Sequence, residues 1–136
     1  MKKTLQLLIM DPPYESSNTA SAFRVMEAAL QKGHNVTVFA YEGATSLSFA
    51  EQKPHPNPVK GTNEQEEKHP LTKHFVTGLF NLAKEKGSEF KWINCGMCVD
   101  ERGVSNWVPG PVRGGPAQFV EEVNRCDKTV VIATTR

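Results

Sequence analysis

The chain has 136 residues, a net charge of +1 and 38% apolar residues, which fits one domain with a real core and excludes a disordered or nucleic-acid-coating protein. Lysine and arginine are scattered, and the N-terminal apolar run Leu5 to Met10 is too short for a membrane span or a signal sequence, so no membrane span and a cytoplasmic location are expected. Three cysteines fit reduced thiols better than a secreted disulfide framework.

Thr4 to Met10 is a nearly continuous apolar run of strand length, the pattern of a strand covered on both faces of a parallel sheet. Asp11-Pro12-Pro13-Tyr14 ends it, because proline lacks a backbone donor and fixes the turn. Ser17, Asn18 and Thr19 are candidate N-caps for a helix over about Ala20 to Lys32 that buries Phe23, Met26, Ala29 and Leu30, with Gly33 as its left-handed terminator. His34 to Tyr41 is a second strand. No glycine occurs between Met1 and Lys32, which removes the dinucleotide fingerprint and the P-loop from consideration.

From Glu42 to Pro70 a long connection is expected, with a short turn of helix or a lid at Gly43 to Phe49 and irregular chain enforced by Pro54, Pro56 and Pro58. His55, His69 and His74 lie in or beside it. They are expected to be solvated loop histidines, since no second tight ligand pair accompanies them, and no metal or other cofactor is assigned. Leu71 to Lys86 reads as a helix burying Leu71, Phe75, Leu79, Leu82 and Ala83, stopped by Gly87.

Phe90 to Gly103 is the segment with chemistry. A short strand runs to Cys95 and Gly96, where a turn or helix begins, and Cys98 follows three residues later. The carboxyl ends of strands are where open α/β sheets hold ligands. A thiolate at 95 would be favoured by unpaired N–H groups and by Arg102, and the sulfur is expected to be accessible and partly ionised; the plainer alternative is a small buried apolar residue. Val104 to Gly115 is a turn-rich connection with room for one short strand. A helix starting at Pro116 then runs to about Arg125, burying Phe119, Val120 and Val123, and Lys128 to Thr134 is a final strand. Cys126, at a helix end, reads as packing. The alternation gives a three-layer α/β/α sandwich with a mostly parallel sheet of four or five strands, whose order the pattern does not specify.

Several chemistries fail on spacing. The pair Cys95-x-x-Cys98 arrives after two strands and two helices, too late for a thioredoxin dithiol. Six residues separate Cys95 from Arg102 and three separate Cys98 from it, which suits no phosphatase loop. No Gly-x-Ser-x-Gly elbow occurs.

Three pieces together resemble the DsrE family of small sulfur-relay proteins. They are the opening strand with the helix from Ser21-Ala22-Phe23 to Gly33-His34, Cys95 with six residues before Arg102-Gly103, and the ending Cys126-Asp127-Lys128-Thr129-Val130-Val131. The resemblance implies one DsrE-like domain over residues 1–136, with the Pro-rich loop at about 42–70 as an insert. It also implies a sulfurtransferase-like carrier that takes sulfane sulfur as a persulfide on Cys95; Cys98 departs from the family pattern as a second thiol, which leaves room for a resolving or release role. The partners it implies are a protein sulfur donor and acceptor, TusA-like or rhodanese-like, and related or identical subunits in a trimer or hexamer, without direct nucleic-acid contact. The alternative function is a metal-binding or regulatory domain of the same fold that uses Cys95 and Cys98 without sulfur transfer.

Overall fold

The computed structural model describes residues 1–103 and 106–134; Val104 and Ser105 of the turn-rich connection, and Thr135 and Arg136, lie outside the described residues. Five strands, β1 (Thr4–Ile9), β2 (Asn35–Ala40), β3 (Phe90–Cys95), β4 (Val112–Gly114) and β5 (Lys128–Ile132), form one sheet in the order β4-β3-β2-β1-β5. Every pairing is parallel. The helices are α1 (Ser17–Gln31), the short α2 (Glu64–Glu67), α3 (Thr72–Lys86), α4 (Gly96–Arg102) and α5 (Pro116–Arg125), with a 3-10 helix at Glu42–Ser48.

The faces of the sheet follow from alternation along the strands. Leu7, Ile9, Val36, Val38, Ala40, Phe90 and Trp92 join Phe23, Met26 and Leu30 of α1 and Val76, Leu79 and Ala83 of α3 in the larger core. On the opposite face Phe39, Ile93, Cys95 and Cys98 form a smaller cluster, packed by Leu8 and by Phe119 of α5. Helices thus cover both faces, as a parallel sheet requires.

The local signals set the ends of the elements with small displacements. Helix α1 begins three residues before the expected Ala20, because Ser16 is the N-cap and its hydroxyl accepts from the Asn18 N–H at 3.2 Å. Gly33 and Gly87 take the left-handed conformation at φ 81° and 65°. In α3 the buried stripe is Thr72, Val76, Leu79 and Ala83, while Phe75 is 48% exposed and lies over α1 against Phe23, with ring centroids 5.5 Å apart. Helix α5 departs further: Val120 and Val123 are exposed, and the buried residue is Glu122.

The connection at 42–70 is more ordered than its prolines suggest. Its first part is the 3-10 helix, whose Ala44, Thr45, Leu47 and Ser48 are buried. An isolated bridge joins Asn57 to Thr62, and Asn63 caps α2 with a capping box to Glu66.

Candidate functional site

The carboxyl end of β3 is built to be rigid. β3 lies between β2 and β4, so both of its edges are paired, and Trp92, Ile93, Asn94 and Cys95 are all buried. The Trp92 indole N–H donates to Asn94 Oδ1 at 2.9 Å, and Asn94 Nδ2 donates to Ser48 Oγ at 3.0 Å. This chain of hydrogen bonds ties the last turn of the strand to the 3-10 helix and leaves none of its polar atoms unpaired. Cys95 ends the strand and is the N-cap residue of α4; Gly103 closes that helix at φ 66°.

Both thiols face the smaller cluster. Cys95 is 2% exposed and Cys98 5%, so the expectation of an accessible sulfur is corrected. The reason is twofold. The cluster of Phe39, Ile93, Leu8 and Phe119 packs one side. Arg113 closes the other: a Cβ built on Gly96 would meet Nε, Cζ and Nη2 of Arg113 at 2.6 to 2.8 Å. Only glycine lets that guanidinium lie across the backbone beside Cys95.

Arg113 comes from the edge strand β4, where it is in register with Asn94 of β3, one residue before Cys95. Asp100 of α4 holds its fork in a bidentate pair at 2.9 and 2.6 Å. The hydrogen bonds from Arg113 keep the Asp100 carboxyl below its ordinary range, and the same pairing, helped by Cys95, raises Arg113. Sequence reasoning missed this arginine. Its only local signal is a short apolar-polar-glycine strand, Val112-Arg113-Gly114, eighteen residues from the cysteine.

Arg102, expected beside Cys95, instead donates from Nη1 to the Cys98 carbonyl at 3.1 Å and caps the end of its own helix. Cys98 Sγ accepts the Glu42 backbone N–H at 3.1 Å. Burial first, and then the neighbouring Cys95 thiol, push the Cys98 thiol up to about 11, against the pull of the Glu42 N–H and Arg102.

The other residues singled out in the sequence lie apart. His69 packs between Tyr14 and His55 with tilted rings, centroids 4.7 Å apart in each pair, and the Tyr14 hydroxyl donates to the Pro70 carbonyl. His74 lines a groove between α1 and α3 of about 330 Å³. No group of three or more His, Cys, Asp or Glu able to hold a metal ion occurs among the described residues. Cys126 is half-buried 3.8 Å from Glu122 Oε2, and burial raises its thiol. The crevice where the strand order reverses, between β1 and β5, is lined by Ile9, Asp11, Asn18 and Ile132 and holds a cavity of only about 10 Å³. The Asp11 carboxylate there takes the Ser16 hydroxyl at 2.5 Å and Asn18 Nδ2 at 3.1 Å, a poor setting for a phosphate.

A family model, the DsrE/DsrF-like family, matches residues 3–132. The chain belongs to the DsrE/DsrF-like family. Among solved structures, the crystal structure of the YchN protein from E. coli superposes with a TM-score of 0.68 at 17% identity, covering 97% of this chain and 100% of that one. That likeness carries the fold, a five-stranded parallel sheet with helices on both sides. No curated protein matches the chain. DsrE-family membership suggests a role of the sulfur-relay type. No described helix is long and apolar enough to cross a membrane.

Proposed function

We propose that the protein is a sulfur carrier that accepts sulfane sulfur as a persulfide on Cys95 and hands it to an acceptor protein thiol. The observation that carries this reading is the guanidinium of Arg113 laid across Gly96 beside Cys95, in a chain of the DsrE family. A cation at the mouth of the site attracts the anionic sulfur of an approaching donor or acceptor. In loading, the Cys95 thiolate attacks the terminal sulfur of a donor persulfide, the S–S bond to the donor breaks, and the donor leaves as a thiolate. In unloading, an acceptor thiolate attacks the terminal sulfur and Cys95 becomes the leaving thiolate.

Access is the physical demand this places on the site. Arg113, Asp100 and Met97 form its rim, and all three side chains are more than half exposed. Exposed ion pairs of this kind add little net stability, so a partner that offers its own carboxylate to Arg113 displaces the cover without unfolding the strand end. Donor and acceptor are therefore proteins that bring a cysteine together with an acidic contact. We also infer assembly with copies of the same chain or with related subunits. What supports it is β5, four of whose five residues are exposed at an edge of the sheet.

The test is mass spectrometry after incubation with a persulfide donor. One added sulfur atom is expected in the wild type and absent in Cys95→Ser. Sulfur retained by Cys95→Ser and lost from Cys98→Ser would assign the carrier to the other thiol.

A further inference from the structure

Helices α1 and α3 lie side by side over the larger core, on the face of the sheet opposite Cys95. Both return against the same parallel strands, so they run in the same direction. Two hollows of about 330 and 300 Å³ lie between them, and Phe23, Glu27 and Phe75 line both. Phe75 projects at this point, 48% exposed and braced from below by Phe23. Gly78 follows on the same face of α3, and a Cβ there would meet no atom within 4 Å. Glycine weakens a helix interior more than any residue but proline. No described neighbour requires it at 78, since the backbone is helical and nothing approaches. What it leaves is a gap beside a projecting ring.

A ring and a gap three residues apart on one helix are complementary to themselves. A two-fold axis crossing α3 between them sets the Phe75 ring of a second copy into the gap at Gly78, and the first Phe75 into the gap of the second. This is the reciprocal pairing that a two-fold contact demands. The axis must also suit α1, which it crosses as well. The two helices are level at Phe23 and Phe75, whose ring centroids are 5.5 Å apart, and at Glu27, which shares the larger hollow with Gly78. The same axis therefore crosses α1 between Arg24 and Glu27. Both are exposed, and neither side chain has an ion-pair or hydrogen-bond partner among the described residues. Across the axis Arg24 of each copy is set against Glu27 of the other, so shape and charge agree on one operation.

We propose that the α1–α3 face is a two-fold interface between copies of this chain, closed by Phe75 over Gly78 and by Arg24 against Glu27 in each direction. It is a different surface from the β5 edge and leaves the Cys95 side free for donors and acceptors, so it does not depend on the carrier reading.

The experiment reads mass by light scattering coupled to size exclusion. Arg24→Glu and Glu27→Arg each oppose like charges across the axis twice over, and each is expected to lower the mass at least two-fold, whatever the β5 edge contributes. Mixed in equal amounts, the two variants are expected to regain the wild-type mass, because one chain then carries two carboxylates where the other carries two cations. Mixing does not cure a folding defect. Gly78→Leu fills the gap without touching its own chain, and is expected to lower the mass as far while keeping the wild-type circular dichroism. Full mass in either charge variant or in Gly78→Leu would overturn the proposal, and the groove would then serve another protein or none. So would a mixture that stays at the reduced mass, or a wild type that already runs as a single chain.

Discussion

A Cβ at Gly96 would lie 2.6 Å from Nε of Arg113, and one at Gly114 would lie 2.4 Å from Cγ2 of Ile93, yet the two substitutions should behave differently. Arg113 is a half-exposed side chain whose far end can swing into solvent. Ile93 is buried in the smaller cluster and has nowhere to go. Gly114→Ala is therefore expected to cost about 1–3 kcal/mol, the usual penalty for overpacking, read as a lower urea midpoint. Gly96→Ala should leave that midpoint nearly unchanged but expel the guanidinium from beside Cys95. It should raise the pH midpoint of Cys95 alkylation, read on the Cys95 peptide by mass spectrometry, as Arg113→Gln does, even though both changes uncover the sulfur to the reagent. A Gly96→Ala protein that reacts like the wild type would show that Arg113 has no hold on the sulfur. These residues also show where the sequence stops being informative. Cys95 and Cys98 announce themselves by type and spacing, whereas Arg113 reaches the site only because β4 pairs with β3, and pairing is not written in local pattern.

Helix α5 shows the same limit over a longer stretch. Its extent follows from Pro116 and the apolar residues after it, but its buried side is Phe119 and Glu122, with Val120 and Val123 outside. The explanation lies in the sheet beneath. Thr37 and Lys91 occupy that face, and Lys91 Nζ and Arg125 both reach the Glu122 carboxylate at 2.7 Å. A polar floor draws in a polar residue, and a helix read alone does not reveal its floor. Burial by itself would raise the Glu122 carboxyl, but the hydrogen bonds from Arg125 and Lys91 outweigh it and hold it below its ordinary value of 4.5. A depressed carboxyl contributes stability that is present above its unfolded value and is lost as pH falls through its folded value. Acid should thus weaken the wild type below about pH 4.5. Glu122→Gln should lose about 1–3 kcal/mol near neutrality, since both partners are over a third exposed and solvent screens the pair. It should also show a shallower decline in acid, followed by urea unfolding at each pH; equal acid slopes in the two proteins would refute the assignment.

The order of the strands decides what the molecule presents to others. The central strands β1 and β2 are legible as apolar or β-branched runs because they are covered on both faces, and β3 is legible by alternation; the order β4-β3-β2-β1-β5 is not, because it depends on which neighbours the chain finds. The last strand, Lys128-Thr129-Val130-Val131-Ile132, is legible as a β-branched run, but its place at the edge is not. Val130 pairs in register with Leu7 and Val131 with Leu8, so one valine faces each side of the sheet, and they are 41% and 52% exposed. Lys128 is the only charged residue in the strand and there is no proline, so few of the devices that keep an edge solitary are present. A strand apolar enough for a sheet interior, left uncovered in the single chain, is accounted for if another subunit covers it. Light scattering coupled to size exclusion should then give a mass at least twice the 15.1 kDa of one chain. Val131→Glu should shift the mass toward one chain, because the carboxylate would have to be buried unpaired against the neighbouring subunit. A wild type that runs as a single chain at micromolar concentration would sink the assembly. If Val131→Glu instead keeps the full mass, the contact lies elsewhere, and the exposed Val120 and Val123 of α5 become the next surface to alter.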